Sequence, residues 1–472
     1  MTHIILGHCC KDASCVKVCP QDCIHPAPRE PGFESAERLY IDPRTCIDCT
    51  ACVEACPASA IKSEHELTIA ENRYTLQAQE FFSTTSVVSG PAARRVTFEQ
   101  SLGTPGGRLK VAVVGSGPAA MYTVRELLRR SGSVRVTVFE QHGEIGGLLH
   151  RGVSPDHSEI RDMIRLFEVP FNDDRVEVIL NTEVGVDISV SALRSRFDAV
   201  VLAYGASQPR KIGSIDEAGR GGVYEAIDIL TAANSGSSDS PPHGPLGPEC
   251  VVVGAGNVAL DIVRYVARMN IDSAAGGAVR ELVVLSRSAP DRASFTPSSF
   301  YELLDLDSVD LLIDAAGIVP ESSSKSALLQ DISTLPSADV SGAEYGWWHQ
   351  GYQKLRVILS FGNDVTSIEG TSSSEVAVVT ASGRRFVASS AICAAGFTTK
   401  NIAGLPAGES GTVLNRRGKV ISRETGGPLE RLYVVGWAKR GATGGVGDNR
   451  VCARETVAQL AADVGLENGD TR

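Results

Sequence analysis

No apolar run in this chain approaches the roughly 20 residues a membrane-crossing helix needs, so no span is expected. Positive charge is short: 45 Lys and Arg face 56 Asp and Glu, a net −11 that implies no basic surface for nucleic acid. Aromatics are scarce and glycine is plentiful, with ordinary hydrophobic content, a composition suited to an α/β protein of about three domains. The first residues carry no basic stretch ahead of an apolar one, so no secretory signal is expected and the cytoplasm is. In that reducing compartment clustered thiols read as metal ligands, not disulfides. Beyond Cys56 there is no Cys-x2-Cys or Cys-x4-Cys pair, which excludes a thiol–disulfide active site.

What the chain has is cysteine in one place. Nine of its twelve cysteines fall in the first 56 residues. One frame runs Cys46-x2-Cys49-x2-Cys52-x3-Cys56 followed by proline; an earlier one runs Cys9-x2-Asp12-x2-Cys15-x3-Cys19, also followed by proline. This is the spacing of paired iron–sulfur clusters, in which the fourth cysteine of each frame ligates the other cluster. Cys19, Cys46, Cys49 and Cys52 are therefore expected on a [4Fe–4S] cluster. Cys9, Cys15 and Cys56 are expected on a second site with Asp12 where a fourth thiolate would stand. Three thiolates suit [3Fe–4S]; a [4Fe–4S] cluster with Asp12 as a labile ligand is the alternative. Cys10 competes with Cys9 for the first position. Structural zinc uses separated pairs and does not match. Cys23, Cys250, Cys393 and Cys452 read as buried small residues.

Residues 63–107 carry no cysteine and are rich in Ser, Gly, Thr and Pro toward their end, the pattern of a linker with a docking segment near 76–82. From 109 onward short β-branched runs alternate with amphipathic stretches, which predicts βαβ units and a mainly parallel sheet. The strand 110–114 leads into Gly115-Ser116-Gly117, a helix opened by Pro118 and running to about 130, and a strand 134–139 that ends on Glu140. Such a turn admits a pyrophosphate to the helix N-terminus, and the acid suits ribose hydroxyls. The loop 232–249 precedes a second unit: strand 250–253, Gly254-Ala255-Gly256, a helix to about 269, and strand 281–285. There Arg287 replaces the acid. A planar cation suits a 2′-phosphate, so the first turn is assigned to FAD and the second to NADPH, with Arg292 as a further contact. A return strand near 432–436 brings a C-terminal loop to the first turn.

With these motifs the chain resembles the adrenodoxin-reductase type of NADPH–ferredoxin reductase, in its bacterial form with an N-terminal ferredoxin domain. The segments 114–121 (VGSGPAAM), 147–157 (GLLHRGVSPDH), 254–261 (GAGNVALD) and 436–446 (GWAKRGATGGV) carry the resemblance; 305–390 carries none of it. It implies two Rossmann-like dinucleotide domains, the NADP domain (207–389) inserted in the FAD domain (108–206 and 390–472), preceded by an α+β two-cluster ferredoxin domain (1–62) and a linker (63–107). It implies FAD contacts at Ala119, Glu140, Leu148, Val184, Trp437, Gly444, Gly445 and Val446, and NADP contacts at Ala255, Gly256, Asn257, Val258, Arg287 and Gly444. His157, Asp261 and Glu302 match polar residues near the nicotinamide, and Lys439 and Arg440 flank the flavin loop. Two departures stand out. Relatives carry two arginines where this chain has Arg287-Ser288, which opens NADH use. Ser299 stands where a glutamate is expected, and 299–304 lacks an arginine.

The expected activity is NAD(P)H-dependent ferredoxin reduction: a hydride from NADPH to FAD, then single electrons to the built-in clusters and on to a ferredoxin or cytochrome P450. An electron-input subunit of a larger complex, like the small subunit of glutamate synthase, is the alternative, and a non-catalytic redox sensor a third.

Overall fold

The computed structural model describes residues 2–28, 30–87, 108–157, 161, 163–215, 222–235, 246–272, 279–315, 327–340, 354–372, 375–408 and 411–467. The chain divides into two compact units. One comprises 1–150, 159–208 and 397–472; the other comprises 151–158 and 209–396.

In the first unit the cysteine frames build a small duplicated domain. Helices Ser14–Val18 and Ala51–Ala55 each follow a frame loop and each end where Cys-Pro forces extended backbone, at Cys19 (ψ 116) and Cys56 (ψ 113). The repeat reaches the backbone. Lys11, Ala13 and Asp22 have positive φ, and so do Asp48, Thr50 and Ser59, each 37 residues further on. The strands cross over: His3–Ile5 pairs with Ile61–Ser63, and Ile24–His25 with Tyr40–Ile41. Within 63–107, helix Asn72–Thr84 packs on this domain through buried Tyr74, Ala78 and Phe82, so that part of the stretch is folded structure rather than tether. Residues 88–107 lie outside the described ones.

The rest of this unit is a seven-stranded sheet. Strands Pro428–Val434, Ala199–Leu202, Lys110–Val114, Arg135–Phe139 and Val176–Ile179 lie parallel in that order, with two short antiparallel strands at the edge. Strands buried on both faces must be apolar throughout, which the run KVAVV satisfies after its exposed lysine. Helix Pro118–Arg130 follows the strand Lys110–Val114, and the long helix Asp448–Glu467 packs against it.

The second unit has a wholly parallel sheet of seven strands, with Glu249–Val253, Glu281–Leu285, Leu355–Ser360 and Val309–Asp314 among them. Side chains alternate between its faces. Cys250, Val252, Leu282 and Val284 meet the helices Asn257–Asp272 and Pro297–Leu304. Val251, Val253, Val283 and Leu285 meet Ile368, Val376, Val378 and Phe386 of a four-stranded, mostly antiparallel sheet. That second layer is built largely from 365–388, where the sequence offered nothing recognisable. The expected loop 232–249 begins later than predicted, because helix Ala226–Asn234 keeps Ala232, Ala233 and Asn234 helical, and the strand starts at Glu249. No described helix is long and apolar enough to cross a membrane.

Candidate functional site

The seven thiols expected on clusters are all free. Their electrostatic neighbourhoods fall into two groups. Cys15 is influenced chiefly by Cys9, Cys56 and Asp12, and less by Cys52, whereas Cys52 is influenced by Cys46, Cys49 and Cys19. The fourth cysteine of each frame thus lies with the other frame's thiols. Burial raises Cys9, Cys15, Cys52 (to about 12) and Cys56 (to about 11) above an ordinary thiol. Buried thiols gathered in two such groups without disulfides are ionised only against a cationic centre, which is the fit iron–sulfur clusters require. Among the described residues no three ligand-type side chains converge as a single ion demands; a cluster accepts one thiolate per iron and a wider cage. A small cavity is lined by Cys19, Cys46, Cys49 and Cys52 together with Cys23. Cys23 is buried but not inert: its Sγ lies 3.2 Å from that of Cys19. Its hydrogen bonds lower Cys19 to about 6 and Cys46 to about 4. Backbone amides of Lys11, Cys23 and Ala60 donate to Cys9, Cys19 and Cys56 at 3.3–3.4 Å. Cys10 is half-buried and stays near Cys9 and Cys56, so the choice between Cys9 and Cys10 is not made by burial.

Asp12 differs from its counterpart Cys49. Its buried carboxylate accepts from the Ser14 amide (2.9 Å) and the Ser14 hydroxyl, and lies 3.6 Å from Arg450 Nη1.

The first glycine turn is shaped for close approach. At Gly115 φ is +97°, and a Cβ there would meet the Ala203 carbonyl at 2.8 Å. Gly117 caps helix Pro118–Arg130 and faces Gly147 backbone to backbone. Buried Glu140 accepts from Ser116 N (3.0 Å), Ser116 Oγ (2.6 Å) and His142 N (3.0 Å), which fixes both oxygens and leaves lone pairs for hydroxyl donors. Ala119 is buried under Gly436, and Leu148 opens the short helix Leu148–Arg151. Val184 is buried among Phe139, Ile402 and Val413, a core position. Helix Trp437–Arg440 follows Gly436; Trp437 Nε1 donates to the Gly444 carbonyl at 3.1 Å. The Gly445 amide donates to Asp448 at 2.7 Å. Lys439 is paired with Glu455, and Arg440 donates to Thr443 O and Asn449. These residues, with amides at a helix N-terminus and a fixed carboxylate beside them, fit a dinucleotide such as FAD.

In the second unit Gly254 (φ +114°) leaves no room for a side chain against the Ala394 carbonyl. Ala255 is buried, Gly256 bridges Ser294, and Val258 is partly buried. Asn257 accepts the Thr296 amide on its side-chain oxygen (2.8 Å). Arg287 is exposed just past the strand Glu281–Leu285, as a phosphate ligand would be; Arg292 is exposed too.

His157, Asp261 and Glu302 come together. His157 Nε2 lies 2.7 Å from Glu302 and Nδ1 3.3 Å from Asp261. Burial opposes the imidazolium, but the Glu302 hydrogen bond and the two carboxylates outweigh it and raise His157 above its ordinary value. Burial pushes Asp261 up to about 6 against the pull of His157 and Arg264. Arg264 and Asp156 were not anticipated. Arg264 pairs with Asp156 and lies 3.2 Å from Glu302. The available signal was its i,i+3 spacing from Asp261 on one helix.

Comparisons with known proteins agree with this geometry. Residues 8–60 match the 4Fe-4S dicluster domain and 109–288 the pyridine nucleotide-disulphide oxidoreductase family. A probable ferredoxin/ferredoxin–NADP reductase of Mycobacterium tuberculosis is 34% identical over 98% of this chain and 84% of its own length. The chain belongs to the ferredoxin/ferredoxin–NADP reductase family. It is a flavoprotein oxidoreductase with an iron–sulfur domain at its N-terminus. A mitochondrial NADPH:adrenodoxin oxidoreductase of Arabidopsis thaliana is 27% identical over 75% of this chain and 82% of its own. Among solved structures, Mycobacterium tuberculosis FprA in complex with NADPH superposes with a TM-score of 0.64 at 27% identity, covering 77% of this chain and 86% of that one.

Proposed function

We propose that this ferredoxin–NADP reductase oxidises NADPH and delivers electrons one at a time to a protein acceptor, a ferredoxin or a cytochrome P450. The observation that carries the reading is the meeting, in one unit, of a cysteine cage with a flavin-type glycine turn. FAD and the clusters, when bound, supply conversion of a two-electron donor into one-electron outputs. The chain's own residues bind and position. Gly115, Gly117, Ala119, Glu140 and Leu148 hold the flavin nucleotide, with Trp437, Gly444, Gly445 and Val446 closing over it and Val184 supporting from the core. Ala255, Gly256, Asn257, Val258 and Arg287 hold NADPH. His157, held between Glu302 and Asp261, is the polar group placed toward the nicotinamide. In the same reading 1–62 form the ferredoxin domain with helix Asn72–Thr84 folded onto it, the FAD domain takes the remainder of the first compact unit (108–150, 159–208 and 397–472), and the NADP domain is the second (151–158 and 209–396).

For the cluster bound by Cys9, Cys15 and Cys56 we favour [3Fe–4S]. The Asp12 carboxylate is already engaged by Ser14 and Arg450, which leaves it poorly disposed to serve as a fourth ligand. Free thiols in this number fit a reducing cytoplasm. The alternative of an electron-input subunit of a larger complex is not favoured, since the relatives matched are ferredoxin/ferredoxin–NADP reductases and adrenodoxin oxidoreductases.

Electron paramagnetic resonance of anaerobically purified protein tests both statements. A three-iron signal before NADPH and a reduced four-iron signal after it are expected. Clusters that NADPH leaves oxidised in flavin-loaded protein would remove the proposed activity. A two-cluster spectrum with no three-iron signal would remove only the cluster assignment.

A further inference from the structure

The two frame loops have the same backbone and opposite surroundings. Residues 10–13 correspond to 47–50 across the repeat, with left-handed backbone at Lys11 and Ala13 as at Asp48 and Thr50. Yet Lys11, Asp12 and Ala13 are buried, whereas Ile47, Cys49 and Thr50 are exposed, Ile47 by 56%. The cover over the first loop comes from the C-terminal part of the same unit. Val446, like Cys9, Cys10 and Cys56, packs against the buried cluster of Ala58, Ala60 and Met163. Gly447 lies so close that a Cβ would fall on the Cys10 carbonyl and the Asp12 amide. Arg450 donates to the Asp12 carbonyl and faces its carboxylate, and Lys11 Nζ lies 3.6 Å from Asp448. The cover begins directly after Gly444 and Gly445, so the segment that closes on the flavin nucleotide also seats the first loop.

From this asymmetry, and resting on the function proposed above, we infer that the first frame loop is the internal contact of the ferredoxin domain and the exposed loop 47–50 is the docking face for a one-electron acceptor protein. The repeat itself shows that such a loop is covered by protein: in the copy 10–13, Gly447 closes on the backbone while Arg450 and Asp448 meet the charges of Asp12 and Lys11. Ile47 is the exposed apolar side chain of the uncovered copy, and Glu54 is an exposed acid on the helix Ala51–Ala55 that follows it, while Asp48 pairs with His3 at 2.8 Å. A basic acceptor surface around an apolar patch is complementary to that face. Each NADPH oxidised to NADP+ and a proton releases two electrons, so two acceptor molecules are reduced by one electron each at this face, in successive encounters.

The test uses flavin- and cluster-loaded protein with cytochrome c, a basic one-electron acceptor. In amide hydrogen exchange, residues 10–13 are expected to be protected in the protein alone, and 47–50 to become protected when cytochrome c is added. Ile47→Lys, which removes the apolar contact and repels a basic surface, is expected to raise the KM for cytochrome c about tenfold while NADPH-driven ferricyanide reduction stays unchanged. Protection appearing elsewhere, or an unchanged KM, overturns the docking face. Absence of ferricyanide reduction in the wild-type protein would overturn the proposed function instead.

Discussion

At the scale of single residues, the electrostatics around His157 sets a pH dependence. Its folded-state value lies above the ordinary 6.5, so the stability its contacts give is complete below that value and is lost as pH rises through the higher folded one. Asp261, raised from 3.8 to about 6, acts in the same direction: its contribution is lost as pH rises through 6. Amides of helix Asn257–Asp272 are therefore expected to be better protected at pH 6 than at pH 8, after correction for intrinsic exchange. His157→Gln should flatten the difference; a slope that survives the substitution would place its origin elsewhere. Arg287 gives a second residue-scale prediction. A charge-assisted contact to a 2′-phosphate contributes about 1.5–3 kcal/mol, so Arg287→Ala should raise the KM for NADPH by about 10- to 100-fold and leave that for NADH unchanged. Equal losses with both nucleotides would show that this arginine does not read the phosphate.

At the scale of elements, the second unit is tied together at the carboxyl ends of its strands. Asp314 ends the strand Val309–Asp314 and is wholly buried; it accepts from Ser360 Oγ at 2.5 Å and from Arg384 Nη2 at 3.0 Å. Arg384 stands on the tight connection between two strands of the antiparallel sheet and also donates to Asn363, whose amide in turn donates to the Ser286 carbonyl. One cation thus joins the covering sheet to the loop that carries Arg287. Breaking a buried pair costs about 3–5 kcal/mol, and Arg384→Met is expected to lower the unfolding free energy of this unit by that amount in chemical denaturation. A loss under 1 kcal/mol would mean that Asp314 is satisfied without it. Nothing in the sequence marked this network. Its members are spread over 71 positions, between Asp314 and Arg384, in a stretch with no recognisable motif.

At the scale of the whole molecule, fusion replaces an encounter between two proteins with a contact inside one chain. Docking of the ferredoxin domain no longer depends on concentration, because a tethered partner is present at an effective millimolar level. Bleaching of the iron–sulfur absorbance by NADPH is expected to keep the same first-order rate over a hundredfold dilution of the protein. A rate that falls in proportion to dilution would mean that the clusters are reduced by a neighbouring molecule.

The grouping of the frame thiols, the two glycine turns and the parallel sheets were legible in the sequence because each rests on local order: fixed spacings between thiols, glycine where backbone must approach backbone, and β-branched runs that can only be buried strands. The triad of His157, Asp261 and Glu302 was legible only through resemblance, since 145 positions separate its ends and no spacing links them. Tertiary structure alone decided what lies over each frame loop. Lys11 and Asp12 are charged residues that sequence reasoning places in solvent or on iron. They are buried because Asp448 and Arg450, more than 430 positions away, neutralise them across a glycine with no side chain to keep the two segments apart.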